Sequence, residues 1–271
     1  MTDPAQPDPV DPRRALERHL DQWVHAYGAD LAVTPGEVVA KPAAPAQEVV
    51  PVQEEVATPE PVPAAQPEPQ AEKPAQPVAD PLITALRQLR SEVLSCTRCK
   101  LHQGRQTTVF GEGDPKARVM FIGEAPGARE DQTGRPFVGP AGQLLDRILS
   151  GAMGLQRPDV FIANINKCRP PGNRAPEADE VAACLPYLKQ QVELVKPEVL
   201  VCLGRTAAQN LLGSTESTTK MRQKQHEYAG IPVIVTWHPA YLLREPSRKR
   251  ETWEDIKRVN QLLGLPEVPR G

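Results

Sequence analysis

The sequence predicts an α/β domain with a mostly parallel central sheet of four strands, covered by helices on both faces and preceded by a disordered N-terminal arm. Three observations carry this. Apolar runs at 118–122, 159–163, 198–203 and 231–237 have the length and composition of buried strands. Helical stretches near 140–153, 176–195 and 204–212 alternate with them, and a last one spans about 247–263, the order that makes parallel sheets. Residues 36–80 hold ten prolines and no aromatic, so they cannot bury enough apolar surface to offset their chain entropy.

In chain order, residues 11–27 predict a short amphipathic helix: Leu16, Leu20, Trp23, Val24 and Tyr27 share one face, with Pro12 in the first turn and Gly28 at the end. Such a helix is marginal alone, so it docks either on the protein's own surface or on a protein partner. The chain therefore divides into 1–35, a linker at 36–80, and a folded domain at 81–271. The domain opens with Asp80 as a cap and Pro81 in the first turn, and Leu82, Leu86, Leu89 and Val93 mark its inner helix face. After the first strand comes Gly123-Glu124-Ala125-Pro126-Gly127, a small-residue turn that lets a flat ligand approach the backbone, with Glu130 and Asp131 close behind. An ordinary strand-to-helix turn has the same composition. Parallel sheets bind ligands at the carboxyl ends of their strands. This turn, Asn164 after the second strand and His238 after the fourth all fall there.

The net charge of −2 conceals an asymmetry. Residues 1–80 carry 14 acids and 5 bases, whereas 81–271 carry 20 acids and 27 bases. A basic domain on an acidic arm suits a polyanionic partner such as nucleic acid, and equally a plain solvated surface. No apolar run approaches the ~18 residues that span a bilayer, and the start lacks a secretory pattern. A cytoplasmic, nucleoid-associated monomer is expected, with its cysteines reduced.

Of five cysteines, Cys202 sits in a strand-like VLVCLG run and reads as inert core. Cys96 and Cys99 form a C-x2-C pair, followed by Cys168 and Cys184, a four-thiolate set that suggests a metal. Zinc favours two C-x2-C knuckles, whereas here 15 residues separate the second pair; an iron–sulfur cluster tolerates that spacing. On spacing alone both occupants stay open, as do four free thiols. A metal with four cysteine ligands has no open position for substrate, so its role would be structural, bracing the loop from Asn164 to Pro171.

GEAPGARED, Thr133–Gly139 (TGRPFVG), Asn164–Pro171 (NINKCRPP), the motif from Thr236 to Arg244 (TWHPAYLLR) and the four cysteines together closely resemble the family 4, iron–sulfur uracil-DNA glycosylases over residues 82–265. The resemblance implies a three-layer α/β/α fold, a structural [4Fe–4S] cluster on Cys96, Cys99, Cys168 and Cys184, and hydrolytic removal of uracil from DNA in base excision repair. It implies that Asn164 reads the uracil edge, that Phe137 stacks on the base, and that Ala125 and Gly127 form a wall. His238 would stabilise the departing base at O2. Other branches of the superfamily place an aspartate where this chain has Ala125, so Glu124 is the leading candidate to hold the attacking water, with Glu130 second. Leu243 and Arg244 resemble an insertion loop that enters DNA; Arg248, Lys249 and Arg250 are placed to meet phosphates. No lysine is expected within the matched catalytic motifs, so strand cleavage is not expected. The alternatives are a non-catalytic iron–sulfur DNA-binding protein and the branch that becomes covalently trapped on uracil-DNA. That branch carries a GEQPG-type motif, in place of GEAPG.

Overall fold

The computed structural model of the chain describes residues 80–266. The expected helix at 11–27, and the 36–80 linker except Asp80, lie outside the described residues. Asp80 caps helix α1 (Pro81–Leu94), its carboxylate accepting from the Leu82 N–H at 2.9 Å, with proline in the first turn where a missing N–H costs nothing.

The four apolar runs form strands β2 (Val119–Gly123), β3 (Phe161–Asn164), β4 (Val199–Leu203) and β6 (Ile231–Thr236). They pair in parallel in the spatial order β3-β2-β4-β6. Two short strands extend the sheet to six. At one edge β1 (Glu112–Gly113) runs antiparallel to β3; at the other β5 (His226–Tyr228) runs antiparallel to β6. Neither short strand carries an apolar run, because an edge strand need not bury both faces.

Among the described residues the remaining α-helices are α2 (Ala128–Thr133), α3 (Pro140–Ile148), α4 (Ala178–Val195), α5 (Arg205–Leu212), α6 (Thr218–Arg222), α7 (Pro239–Arg244) and α8 (Lys249–Leu263). The strand period of two divides the core between two faces. Met120 and Ile122 of β2 point to one side, where Leu86 and Val93 of α1, Leu188 and Val192 of α4, and Ala207 of α5 pack on them. Val119 and Phe121 point to the other, against Leu145 and Leu149 near α3 and Ile256 and Val259 of α8. The result is the three-layer α/β/α arrangement. β2 lies between β3 and β4, so the chain reverses its direction of travel across the sheet at the carboxyl end of β2. A crevice opens at such a reversal.

Candidate active site

The crevice is a cleft of about 430 Å³ lined by the Glu124–Gly127 turn, Phe137, Asn164, His238 and the start of α7. It is large enough for a nucleobase and part of its sugar. Two of its walls converge on Gly123, the last residue of β2. A Cβ there would lie 2.3 Å from Asn164 Oδ1 and 2.5 Å from Phe137 Cζ, so only glycine lets both side chains close over the strand end. Asn164 ends β3 directly beside Gly123 in register. Its side chain is 2 % exposed and its Oδ1 has no hydrogen-bond partner within the protein. A buried amide oxygen left without a donor costs about 1–3 kcal/mol, and a ligand N–H in the cleft would recover it.

Phe137 stands at φ +52°, in the left-handed region that few non-glycine residues adopt. The turn swings its ring into the cleft, 5.6 Å from the imidazole of His238 and tilted 30° to it. Gly142 in α3 lets the Phe137 carbonyl settle against the helix; a Cβ there would meet that oxygen at 1.6 Å.

His238 ends the extended segment after β6 and caps α7. Its Nδ1 accepts from the Ala240 N–H at 3.1 Å, which leaves the proton of a neutral imidazole on Nε2. Burial in the cleft, with Arg244 nearby, pushes its pKa down to about 4 against the opposing pull of Glu130. Gly204 after β4 admits the ring, since a Cβ there would stand 2.9 Å from His238 Cβ. The residues just before it are anchored to α8: Thr236 Oγ1 donates to Asp255 at 2.7 Å and Trp237 Nε1 to Glu251 at 2.8 Å.

The two candidate carboxylates are placed differently. Glu124 is half-buried and lines the cleft beside Ala125 and Gly127. Glu130 also reaches the cleft, but its Oε1 accepts from the Val138 and Gly139 N–H groups, both at 2.9 Å. It therefore ties α2 to the Phe137 turn. Asn166, given no role by sequence, is fully buried and donates to the Glu180 carbonyl at 3.0 Å. Pro170, Asn173, Arg174 and Tyr241 also line the cleft; Tyr241 belongs to the expected insertion loop, and nothing in the spacing singled out the other three.

Cys96, Cys99, Cys168 and Cys184 line one small cavity on the α1–α4 side, and none is in a disulfide. Cys202 is apart from them, in β4, its thiol pushed up to about 12 by burial. Among the described residues no three His, Cys, Asp or Glu side chains converge on one point as a single ion requires; the four thiols are spread around the cavity. Donors suited to thiolates surround them. Arg105 reaches Cys168 Sγ at 3.2 Å, and the Lys167 backbone N–H reaches Cys184 Sγ at 3.2 Å. Burial raises the thiol pKa of Cys99, Cys168 and Cys184, the last to about 11, so an empty site holds thiols and a bound cation displaces their protons.

A lysine does fall within the Asn164–Pro171 motif. Lys167 is 1 % exposed and lines the cysteine cavity, with its amine donating to Asn164 O at 2.9 Å and Gln191 Oε1 at 2.6 Å. Burial pulls its pKa down to about 8, against the pull of Cys184 and Cys168. With those two acceptors it braces the end of β3 from behind.

In α7, Leu242 is buried while Leu243 is 43 % exposed, and Arg244 lines the cleft. Lys249 and Arg250 are exposed. Arg248 is engaged, paired with Glu251 and lying 5.6 Å from the Trp237 ring centroid.

Residues 110–257 match the Uracil DNA glycosylase superfamily. The chain is 44 % identical to a type-4 uracil-DNA glycosylase of Sulfurisphaera tokodaii over 191 residues, covering 68 % of this chain and 87 % of that protein. A type-4 uracil-DNA glycosylase of Thermotoga maritima is 45 % identical over 183 residues, covering 66 % and 95 %. A type-5 uracil-DNA glycosylase of Pyrobaculum aerophilum is 35 % identical over 147 residues, covering 48 % and 64 %.

Proposed function

Because this chain belongs to the uracil DNA glycosylase superfamily, and within it to the type-4 uracil-DNA glycosylases, we propose that it hydrolyses the N-glycosidic bond of uracil in DNA and leaves an abasic site. The observation that carries the reading is the buried, unpartnered Oδ1 of Asn164 beside the Phe137 ring in a cleft closed by His238.

Uracil in a strand must rotate out to reach such a cleft. Phe137 then stacks on its face, a contact worth about 1–3 kcal/mol. Asn164 Oδ1 accepts from N3–H and its amide donates to O4, a pattern cytosine cannot match at either position. Ala125 and Gly127 keep the opposite wall small. As the bond between C1′ and N1 breaks, its electron pair leaves with the base, and the negative charge spreads to O2. His238 Nε2–H donates there, stabilising the charge as a neutral donor in a largely buried site. Glu124 orients the water whose oxygen joins C1′, and its charge favours the positive sugar; the proton the water sheds ends on the departed uracil anion, which completes the hydrolysis. The amine of Lys167 faces Asn164 O and Gln191 rather than the cleft, which supports hydrolysis without a Schiff base.

Cys96, Cys99, Cys168 and Cys184 would hold a [4Fe–4S] cluster, which when bound supplies a cross-link between the end of α1, the loop after β3, and α4. Leu243 and Arg244 enter the DNA beside the flipped base, and Lys249 and Arg250 meet phosphates. Arg248 serves the interface through Trp237 and Glu251. The protein works in the cytoplasm at the nucleoid, as a monomer, and residues 11–27 dock a protein partner.

The test is incubation of the purified chain with an oligonucleotide carrying one uracil, followed by alkali and a denaturing gel. Breaks that appear only after alkali support the proposal. Retained binding without breaks supports a non-catalytic protein, and a product shifted upward in denaturant supports covalent trapping.

A further inference from the structure

Arg157 lies outside every motif considered above, in a short 3-10 turn (Arg157–Asp159) ahead of β3. Its side chain is only 18 % exposed, and its guanidinium is committed on every side. It donates to the Phe137 carbonyl at 3.0 Å and to the Pro136 carbonyl, to Asp146 of α3 at 2.8 Å, and to Glu112 of β1 at 2.7 Å through Nε. Glu112 is itself buried and takes a second arginine, Arg135, at 2.8 Å. Two successive carbonyls of the turn that carries the aromatic ring are therefore gripped by one rigid, planar cation.

The grip has a reason. Phe137 is at φ +52°, a backbone state that persists in a non-glycine residue only when its surroundings over-determine it. Glu130 holds the amide side of the turn through Val138 and Gly139, and Arg157 holds the carbonyl side. Without the arginine, the Pro136 and Phe137 carbonyls lose this shared donor and Glu112 keeps only Arg135 of its two arginines.

We propose that Arg157 is a positioning residue for base recognition: by clamping the Pro136 and Phe137 carbonyls it holds the Phe137 ring over Gly123, where a flipped base stacks. The proposal rests on the reading of Phe137 as the stacking residue. Arg157 touches no substrate and acts only through that ring.

The experiment is a double-mutant cycle on the full chain. Single-turnover uracil release and the dissociation constant for a uracil oligonucleotide are measured for wild type, Arg157→Met, Phe137→Ala and the pair, with thermal midpoints alongside. Arg157→Met is expected to slow release about tenfold when Phe137 is present, the scale of one lost stack, and less than twofold in the Phe137→Ala background. Arg157→Lys, which keeps the charge beside Glu112 but lacks the planar fork, is expected to fall with Met rather than with wild type, and it stands in if Met does not fold. Equal losses in both backgrounds mean that Arg157 only stabilises the fold, and overturn the proposal. A Phe137→Ala variant as active as wild type overturns the stacking premise, and the proposal with it. Failure of wild type to release uracil overturns the proposed function itself, so the three failures are distinguishable.

Discussion

Acid is the perturbation that isolates His238. Its pKa is pushed down from 6.5 to about 4, chiefly by burial and then by Arg244, with Glu130 opposing. Folding therefore opposes charging the ring by about 3 kcal/mol. The unfolded chain takes up this proton near pH 6.5, whereas the folded one waits until about pH 4. Between those values the unfolded state binds more protons, so this contribution to stability is complete above pH 6.5 and is lost as the pH falls towards 4. For the chemistry, the neutral ring with its proton on Nε2 persists through the same window. Single-turnover release on a single-stranded oligonucleotide is measured from about pH 8 to pH 4 alongside an imidazole 15N NMR titration, assigned with His238→Asn, to check this. The His238 signals should stay in the neutral state to about pH 5, and the histidine limb of the rate profile should fall near pH 4. A His238 that titrates at 6.5 or above, with the rate following the charged form, would refute the neutral-donor mechanism. Arg244→Ala should raise its pKa, because one of the two causes of the depression is gone.

Three further predictions follow from single contacts. Gly123→Ala places a methyl against both Asn164 Oδ1 and Phe137; overpacking of about 1–3 kcal/mol should slow release roughly 5- to 150-fold while far-ultraviolet circular dichroism shows the sheet intact. Glu130→Ala removes two charge-assisted bonds to the Phe137 turn and should lower the urea unfolding free energy by about 1–3 kcal/mol. Glu130→Gln, which can still accept both, should retain most of the activity; if Gln is as inactive as Ala, the charge itself serves the attacking water. Cys184→Ser should reduce bound iron and visible absorbance to less than about half of wild type, whereas Cys202→Ala, in β4 away from the cavity, should leave both unchanged.

The parallel strands were legible because each is buried on both faces and therefore written as an apolar run. The site positions Asn164 and His238 were legible because they immediately follow those runs, where the chain must leave the sheet. Contacts between residues distant in sequence were not. Glu112 and Arg157 meet across 45 residues, and a charged residue in a loop looks the same whether it clamps a backbone or points into solvent. Glu130 is next to Asp131 in an acid-rich turn; only the fold reveals that one holds the Phe137 turn while the other, buried, accepts from Gln106 and Thr107. Lys167 reads as a surface cation beside a cysteine, and its burial follows from Gln191 arriving on α4 to meet it.

Lys167 also limits what could be exchanged between proteins. Its backbone N–H belongs to the cysteine lobe through Cys184, while its amine belongs to the end of β3 through Asn164 O. One residue thus joins both regions, three positions from Asn164, whose side chain lines the cleft. The cysteine lobe is therefore not a detachable module: a chimera replacing it takes the Lys167 amine away from the Asn164 carbonyl and must supply another buried donor there. Grafting the lobe alone onto another sheet would leave the Lys167 amine with Gln191 but without the Asn164 carbonyl.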